Sequence, residues 1–212
     1  MTYTFLLGRE GKEMDVAALR VDMATLEGLC AAVFESQGLS AEDARISAEV
    51  LVAADARGIP SHGVARLGRY VEGLGSGLMQ AKAIPETVSE TSSSLVIDAK
   101  GSMGAPISLR TMRRTIDKAR VTGVAFAAVR DSNHFGIAGY YAKQALAADM
   151  LGIAMTNTAA LGVLSHTALF HHECRFVTFH HLLFIQCHVS FGTFFHAFFL
   201  YVFARFFKVV FH

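Results

Sequence analysis

At 212 residues the chain is long enough for one full-sized domain whose core needs neither disulfides nor a structural metal. Lysine and arginine number 19 against 18 acidic residues, and this near-neutral balance excludes the basic footprint of a nucleic-acid binder. The three cysteines, Cys30, Cys174 and Cys187, are odd in number and lack metal-ligand spacing, which points to a reducing, cytoplasmic compartment rather than a disulfide framework.

Residues 1–21 read as an irregular leader. Phe5, Leu6 and Leu7 have no basic residue before them, so a secretory signal is not expected, and Met14 and Met23 are alternative starts. Over residues 23–37, Leu26, Leu29, Cys30, Val33 and Phe34 follow a one-face helical spacing that ends at Gly38. Ser40 with Asp43 resembles a capping pair, and Ala44, Val50, Leu51 and Ala54 carry a second helix to Arg57 before Gly58. A third helix is expected to start near Ser61 or His62, with Val64, Leu67, Tyr70, Val71 and Leu74 on one face, and to stop at Gly73, Gly75 and Gly77.

Beyond Pro85 the pattern changes to short β-prone runs at Thr87 and Val88 and at Leu95, Val96 and Ile97, with a turn at 92–94 between them. Pro106 suits the first turn of a helix carrying Ile107, Met112, Ile116 and Ala119, and Gly123 closes it ahead of a buried strand at 124–129. After a loop at 130–136 come a helix at 137–149 and a strand at 151–155, ending in Thr156, Asn157 and Thr158. Helices and strands alternating at these lengths imply an α/β protein: an N-terminal helical layer packed with a mixed sheet.

The composition breaks after Gly162. Residues 163–212 hold 13 of the 17 phenylalanines and 8 of the 10 histidines, one acid (Glu173) and neither proline nor methionine, unlike ordinary globular sequence. The stretch 182–204 has the length of a membrane span, but Gln186, His188 and His196 make it a poor one, and the irregular histidine spacing does not suit a metal site.

Before that break the only histidines are His62 and His134, each in a loop beside glycine. Around His62, Pro60 fixes the backbone, Gly63 leaves room, and a helix start would offer N–H donors to an anion. Arg66, one helical turn on, would hold a carboxylate through two parallel hydrogen bonds. The same spacing equally fits a histidine near a helix cap beside a surface arginine. His134 follows a buried strand, where loops often hold ligands; its structural alternative is a loop histidine bonded to Asp131 or Asn133. The glycines at 73, 75 and 77 do not form G-x-G-x-x-G and follow a helix, so no Rossmann fingerprint is present.

The segments Asp55-Ala-Arg-Gly-Ile-Pro-Ser-His-Gly-Val-Ala-Arg-Leu-Gly-Arg-Tyr70 and Val129-Arg-Asp-Ser-Asn-His-Phe-Gly-Ile-Ala-Gly-Tyr-Tyr141 closely resemble the two hallmark segments of the malate/L-lactate dehydrogenase family. The resemblance covers residues 22–162. It implies a non-Rossmann three-layer fold and hydride transfer between NAD or NADP and a small 2-hydroxy or 2-oxo acid. His134, or His62 beside it or in its place, would exchange the substrate proton, the resemblance not ranking the two; Ser61 and Arg66 would lie by the substrate carboxylate; and Phe135, Gly136, Asn157 and Thr158 would lie along the cofactor. No metal is implied, and homodimers are expected.

Two departures stand out. Asp131 replaces a more usual asparagine. After Met155-Thr-Asn-Thr-Ala-Ala-Leu-Gly162 the family's glycine-rich loop and Gly-Thr-Asn-Pro segment do not follow. Residues 163–212 therefore read as an out-of-frame tail on a truncated, impaired enzyme, the alternative being an inactive remnant or interaction protein that keeps only the N-terminal module.

Overall fold

A computed structural model describes residues 2–5, 19–156 and 198–204. The chain divides into two compact units, 1–82 and 83–212, and the division falls inside the segment that the sequence treats as one module.

In the first unit, β1 (Thr2–Phe5) and β2 (Leu19–Asp22) pair antiparallel, so part of the expected irregular leader is a regular ladder. Helix α1 (Met23–Ser36) starts at Asp22, whose carboxylate accepts the Thr25 N–H at 3.1 Å, and it buries Leu26, Cys30 and Phe34, spaced four apart. Helix α2 (Ala41–Ala56) starts at the expected cap, with Ser40 Oγ accepting the Asp43 N–H at 3.2 Å. Gly38 and Gly58 follow the two helices at φ +93° and +72°, where a side chain would be strained. Along α2 nine residues are buried, from Ala44 to Asp55, and this helix forms the centre of the unit's core. Each large apolar side chain buried there contributes roughly 1.5–3 kcal/mol.

The third helix starts later than its periodicity suggests. Two 3-10 turns, Pro60–His62 and Val64–Arg66, precede α3 (Leu67–Gly75). The interruption is Gly63, whose extended backbone (φ −88°, ψ −155°) cannot propagate a helix, and the next N–H, that of Val64, is taken by the Asp55 carboxylate at 2.8 Å.

The second unit is built on a five-stranded mixed sheet. Strand β3 (Glu86–Glu90) pairs antiparallel with β4 (Ser94–Asp98), and β4 runs parallel to β5 (Val124–Arg130), placing Ile97 opposite Val129. The parallel pair is joined by α4 (Gly104–Thr122), which buries eleven residues and ends, as expected, at Gly123. Strand β5 alternates between inward and outward positions, burying Ala125, Ala127 and Val129. The edge strand β3 is exposed throughout and held by charge: Glu86 meets Lys100, and Glu90 meets Arg114 and Lys118. An edge carrying such charges is a poor template for further strands.

The helix expected at 137–149 is shorter. It is α5 (Ala138–Ala142) followed by a 3-10 segment, Lys143–Ala148, that ends at Asp149 in the left-handed region. Gly152 of β6 (Met150–Thr156) lies directly against this segment: a Cβ there would sit 2.2 Å from the Ala142 carbonyl oxygen and 2.8 Å from the Ala145 Cβ. The tighter winding accompanies that approach. Strand β7 (Phe198–Ala204), in the stretch where the sequence offered no element, pairs antiparallel with both β5 and β6. The rest of the expected out-of-frame tail, and of the 182–204 stretch, lies outside the described residues. Among the described residues no helix is long and apolar enough to cross a membrane.

Candidate active site

Each candidate histidine belongs to its own unit: His62 to the first and His134 to the second.

The His62 loop turns back on the end of α2. Ile59 N–H bonds to Ala54 O, His62 N–H to Ile59 O and Gly63 N–H to Pro60 O, so the loop backbone is fixed on both sides of the histidine. His62 is half-buried, and its Nδ1 lies 3.0 Å from Ser61 Oγ. The expected carboxylate-binding helix start at this point is not present. Asp55 occupies the Val64 N–H, and Arg66 sits in a 3-10 turn with its Nε donating to the Ser61 carbonyl oxygen. Arg66 therefore reaches back to the residue before His62 instead of standing one helical turn beyond it. Its two terminal nitrogens are the edge that remains for gripping a carboxylate end-on.

Sequence reasoning assigned no role to Asp55, although the residue opens the motif. It is only 6% exposed, and burial raises its carboxyl above the usual range, partly opposed by the Val64 hydrogen bond. The nearby Cys30 thiol is pushed up to about 11 by burial, then by the charges of Asp55 and Glu27, and is a structural rather than a reactive cysteine.

The His134 loop is built differently, from strand ends. Asp98, at the end of β4, receives the Arg130 guanidinium through Nε at 3.1 Å and Nη2 at 2.9 Å, and its other oxygen accepts the Lys100 N–H at 3.0 Å. These hydrogen bonds and the two cations hold the Asp98 carboxyl below its usual range, the Lys100 backbone contact having the largest effect. Asn133 donates to the carbonyls of Gly101 and Ser102 at 2.8 and 3.1 Å, tying 130–136 to the turn before α4. At Gly104 the two segments nearly touch, since a Cβ there would lie 2.2 Å from the Asn133 carbonyl oxygen and 2.5 Å from that of His134. Asp131 has φ +51°, a conformation that asparagine and aspartate tolerate best.

His134 is half-buried, and its Nδ1 accepts the Gly136 N–H at 3.3 Å. Phe135 is buried and stacks on Tyr141, with ring centroids 5.0 Å apart, while the Tyr141 hydroxyl donates to the Phe135 carbonyl. The Phe135 side chain thus anchors the loop in the core. The buried Ser102 hydroxyl, at the turn that Asn133 grips, has no hydrogen-bond partner. Asn157 and Thr158 lie outside the described residues. Among the described residues no three histidine, cysteine or acidic side chains form a group able to hold a metal ion.

A family model described as malate/L-lactate dehydrogenase matches residues 21–168, a stretch that contains both histidine loops. The chain belongs to the malate/L-lactate dehydrogenase family. Within that family it is 42% identical over 126 residues to the malate/(S)-sulfolactate dehydrogenase of Methanothermus fervidus, covering 59% of this chain and 37% of that protein. It is 31% identical over 146 residues to hydroxycarboxylate dehydrogenase B of Escherichia coli K12, covering 69% of this chain and 40% of that protein. The solved malate dehydrogenase of Pyrococcus horikoshii OT3 superposes with a TM-score of 0.66 at 41% identity, over 68% of this chain and 41% of that one. The chain therefore spans about two fifths of the length of the family members it matches.

Proposed function

We propose that the chain is the front part of an oxidoreductase that transfers a hydride between NAD or NADP and a small 2-hydroxy or 2-oxo acid, with His62 as the proton-exchanging group. The observation that carries this reading is the Ser61–His62 contact at 3.0 Å. A serine hydroxyl can accept from Nδ1–H or donate to a bare Nδ1, so it suits the ring in either charge state. A base that must be neutral in oxidation and charged in reduction needs this tolerance.

His134 suits a different task. A ring whose Nδ1 accepts the Gly136 N–H carries its proton on Nε2 and would lose that bond on charging, which suits a neutral ring better than a proton-exchanging one. The outer edge of Arg66 takes the substrate carboxylate, and Ser61 orients His62 beside it.

The residues present fit a nicotinamide cofactor along the His134 loop. The buried Ser102 hydroxyl, at the turn that Asn133 ties to this loop, has no hydrogen-bond partner and offers the cofactor a polar contact. Phe135 and Gly136 would meet the cofactor through main chain, and Asn157 and Thr158 complete the expected set. A bound nicotinamide would supply the hydride acceptor in the direction of acid oxidation. Homodimers in the cytoplasm fit the same family reading.

A second reading, an inactive module that keeps the family's front half, is favoured by the composition break after Gly162. It goes with the proposal that residues 163–212 are read out of frame, which resequencing the coding DNA and translating all frames beyond codon 162 would decide. The functional test is oxidation of NADH or NADPH by a panel that includes oxaloacetate and pyruvate, with cofactor binding measured in parallel. Turnover with any member supports the dehydrogenase reading. Binding without turnover indicates an impaired enzyme, and neither binding nor turnover indicates the inactive module.

A further inference from the structure

We propose that Asp55 is a positioning residue for His62, acting as a buried post around which the histidine loop is wound. This rests on the reading of His62 as the proton-exchanging group, but the geometry stands by itself.

Asp55 occupies an unfavourable place for a carboxylate. It lies in the last turn of α2, at the negative end of the helix dipole, and is almost wholly removed from water. Among the described residues it makes no ion pair that would offset this cost. What the carboxylate does there is hold the loop. One oxygen accepts the Val64 N–H at 2.8 Å, and the group lies so close above Gly63 that a Cβ on that residue would fall 1.9 Å from Oδ1 and 2.2 Å from Cγ. Gly63 and Val64 are the two residues after His62, at the junction of the two 3-10 turns. The carboxylate thus determines where the first turn stops and the second starts, and with it the direction in which His62 leaves the backbone.

Gly63 has φ −88°, which any residue adopts, so the need for glycine arises from the carboxylate and not from backbone strain. The two positions are therefore coupled in a way that substitution reveals. Asp55→Ala leaves the Val64 N–H without its acceptor. Gly63→Ala forces the carboxylate aside. In the double variant the methyl group meets no carboxylate, so adding Gly63→Ala to Asp55→Ala changes little further. Asp55→Asn keeps an oxygen for the Val64 N–H and preserves the loop.

The experiment follows the His62 ring resonances and their titration by NMR in the full chain, with Val64 amide exchange and thermal stability measured alongside. The expected result is a displaced His62 signal in Asp55→Ala and in Gly63→Ala, Val64 exchange at least about tenfold faster in Asp55→Ala, a double variant that matches Asp55→Ala, and near-native His62 behaviour in Asp55→Asn. If Asp55→Ala loses thermal stability while the His62 signal and titration stay native, the carboxylate is merely structural and the proposal fails. Additive effects of the two substitutions overturn it as well. Should Asp55→Ala not fold, the other single variants decide: a displaced His62 in Gly63→Ala with a native one in Asp55→Asn supports the proposal, and any other pattern refutes it. None of these readouts needs turnover, so a chain inactive toward every 2-oxo acid would remove the dehydrogenase reading without touching this one.

Discussion

The two histidine loops solve the same problem by different means. The His62 loop is wound around one buried carboxylate, in two 3-10 turns that leave and rejoin helices. The His134 loop is clamped between strand ends by an ion pair, an asparagine bridge and an aromatic stack. The first depends on a single side chain and the second on several, so damage to the first should be local and damage to the second spread through its unit. The two anchoring carboxylates also differ in electrostatics: burial dominates at Asp55 and raises its carboxyl, whereas hydrogen bonds and cations dominate at Asp98 and lower it.

The strongest way to break the second loop is at its point of closest approach. Gly104→Ala places a methyl group against two backbone carbonyls that cannot rotate away, and should destabilise the second unit by about 3 kcal/mol in urea unfolding. A loss below about 0.5 kcal/mol would mean that the two segments are not in contact. Asn133→Ala removes two hydrogen bonds and leaves the Gly101 and Ser102 carbonyls unpaired, a loss of about 2 kcal/mol with faster amide exchange in the 98–104 turn.

Acid separates the loops more gently, and in opposite directions. The folded-state carboxyl of Asp98 titrates below its unfolded value, so its contribution to stability is complete above about pH 4 and is lost as the pH falls through the lowered folded value. Asp55 titrates above its unfolded value, so its charged form weighs against folding at neutral pH, and that penalty is relieved as the pH falls through the raised value. Relative to the wild type, Asp98→Asn should flatten the loss of stability below pH 4. Asp55→Asn should remove a gain in the weakly acidic range just above that. Unfolding free energies measured across this range check both signs.

Much of this was legible from the chain, and the exceptions share a cause. Helix ends at Gly38, Gly58 and Gly123 and the Ser40 cap are local chemistry, and the structure has them where the sequence puts them. The start of α3 and the winding after Ala142 were misjudged because contacts from outside the periodic window decide them: Asp55 with Val64 in one case, Gly152 with Ala142 in the other. Both histidines stood out as the only ones in ordinary sequence. Their ring partners did not, because Ser61 and Gly136 are selected by loop geometry rather than by spacing. Asp55 was visible as the first residue of a motif, and its task emerged only with its distance to Gly63. Strand β7 shows the opposite limit, since an aromatic, β-prone run joins a sheet in a stretch whose composition matched no class.

The most direct test of the account is the rate of NADH or NADPH oxidation by 2-oxo acids, compared between a full-length version restored in frame beyond codon 162 and its His62→Asn variant at matched thermal stability. The account predicts turnover with at least one acid and a loss of roughly 10²–10⁴-fold in the variant, the usual contribution of a general acid–base group. An unchanged rate in His62→Asn would contradict it.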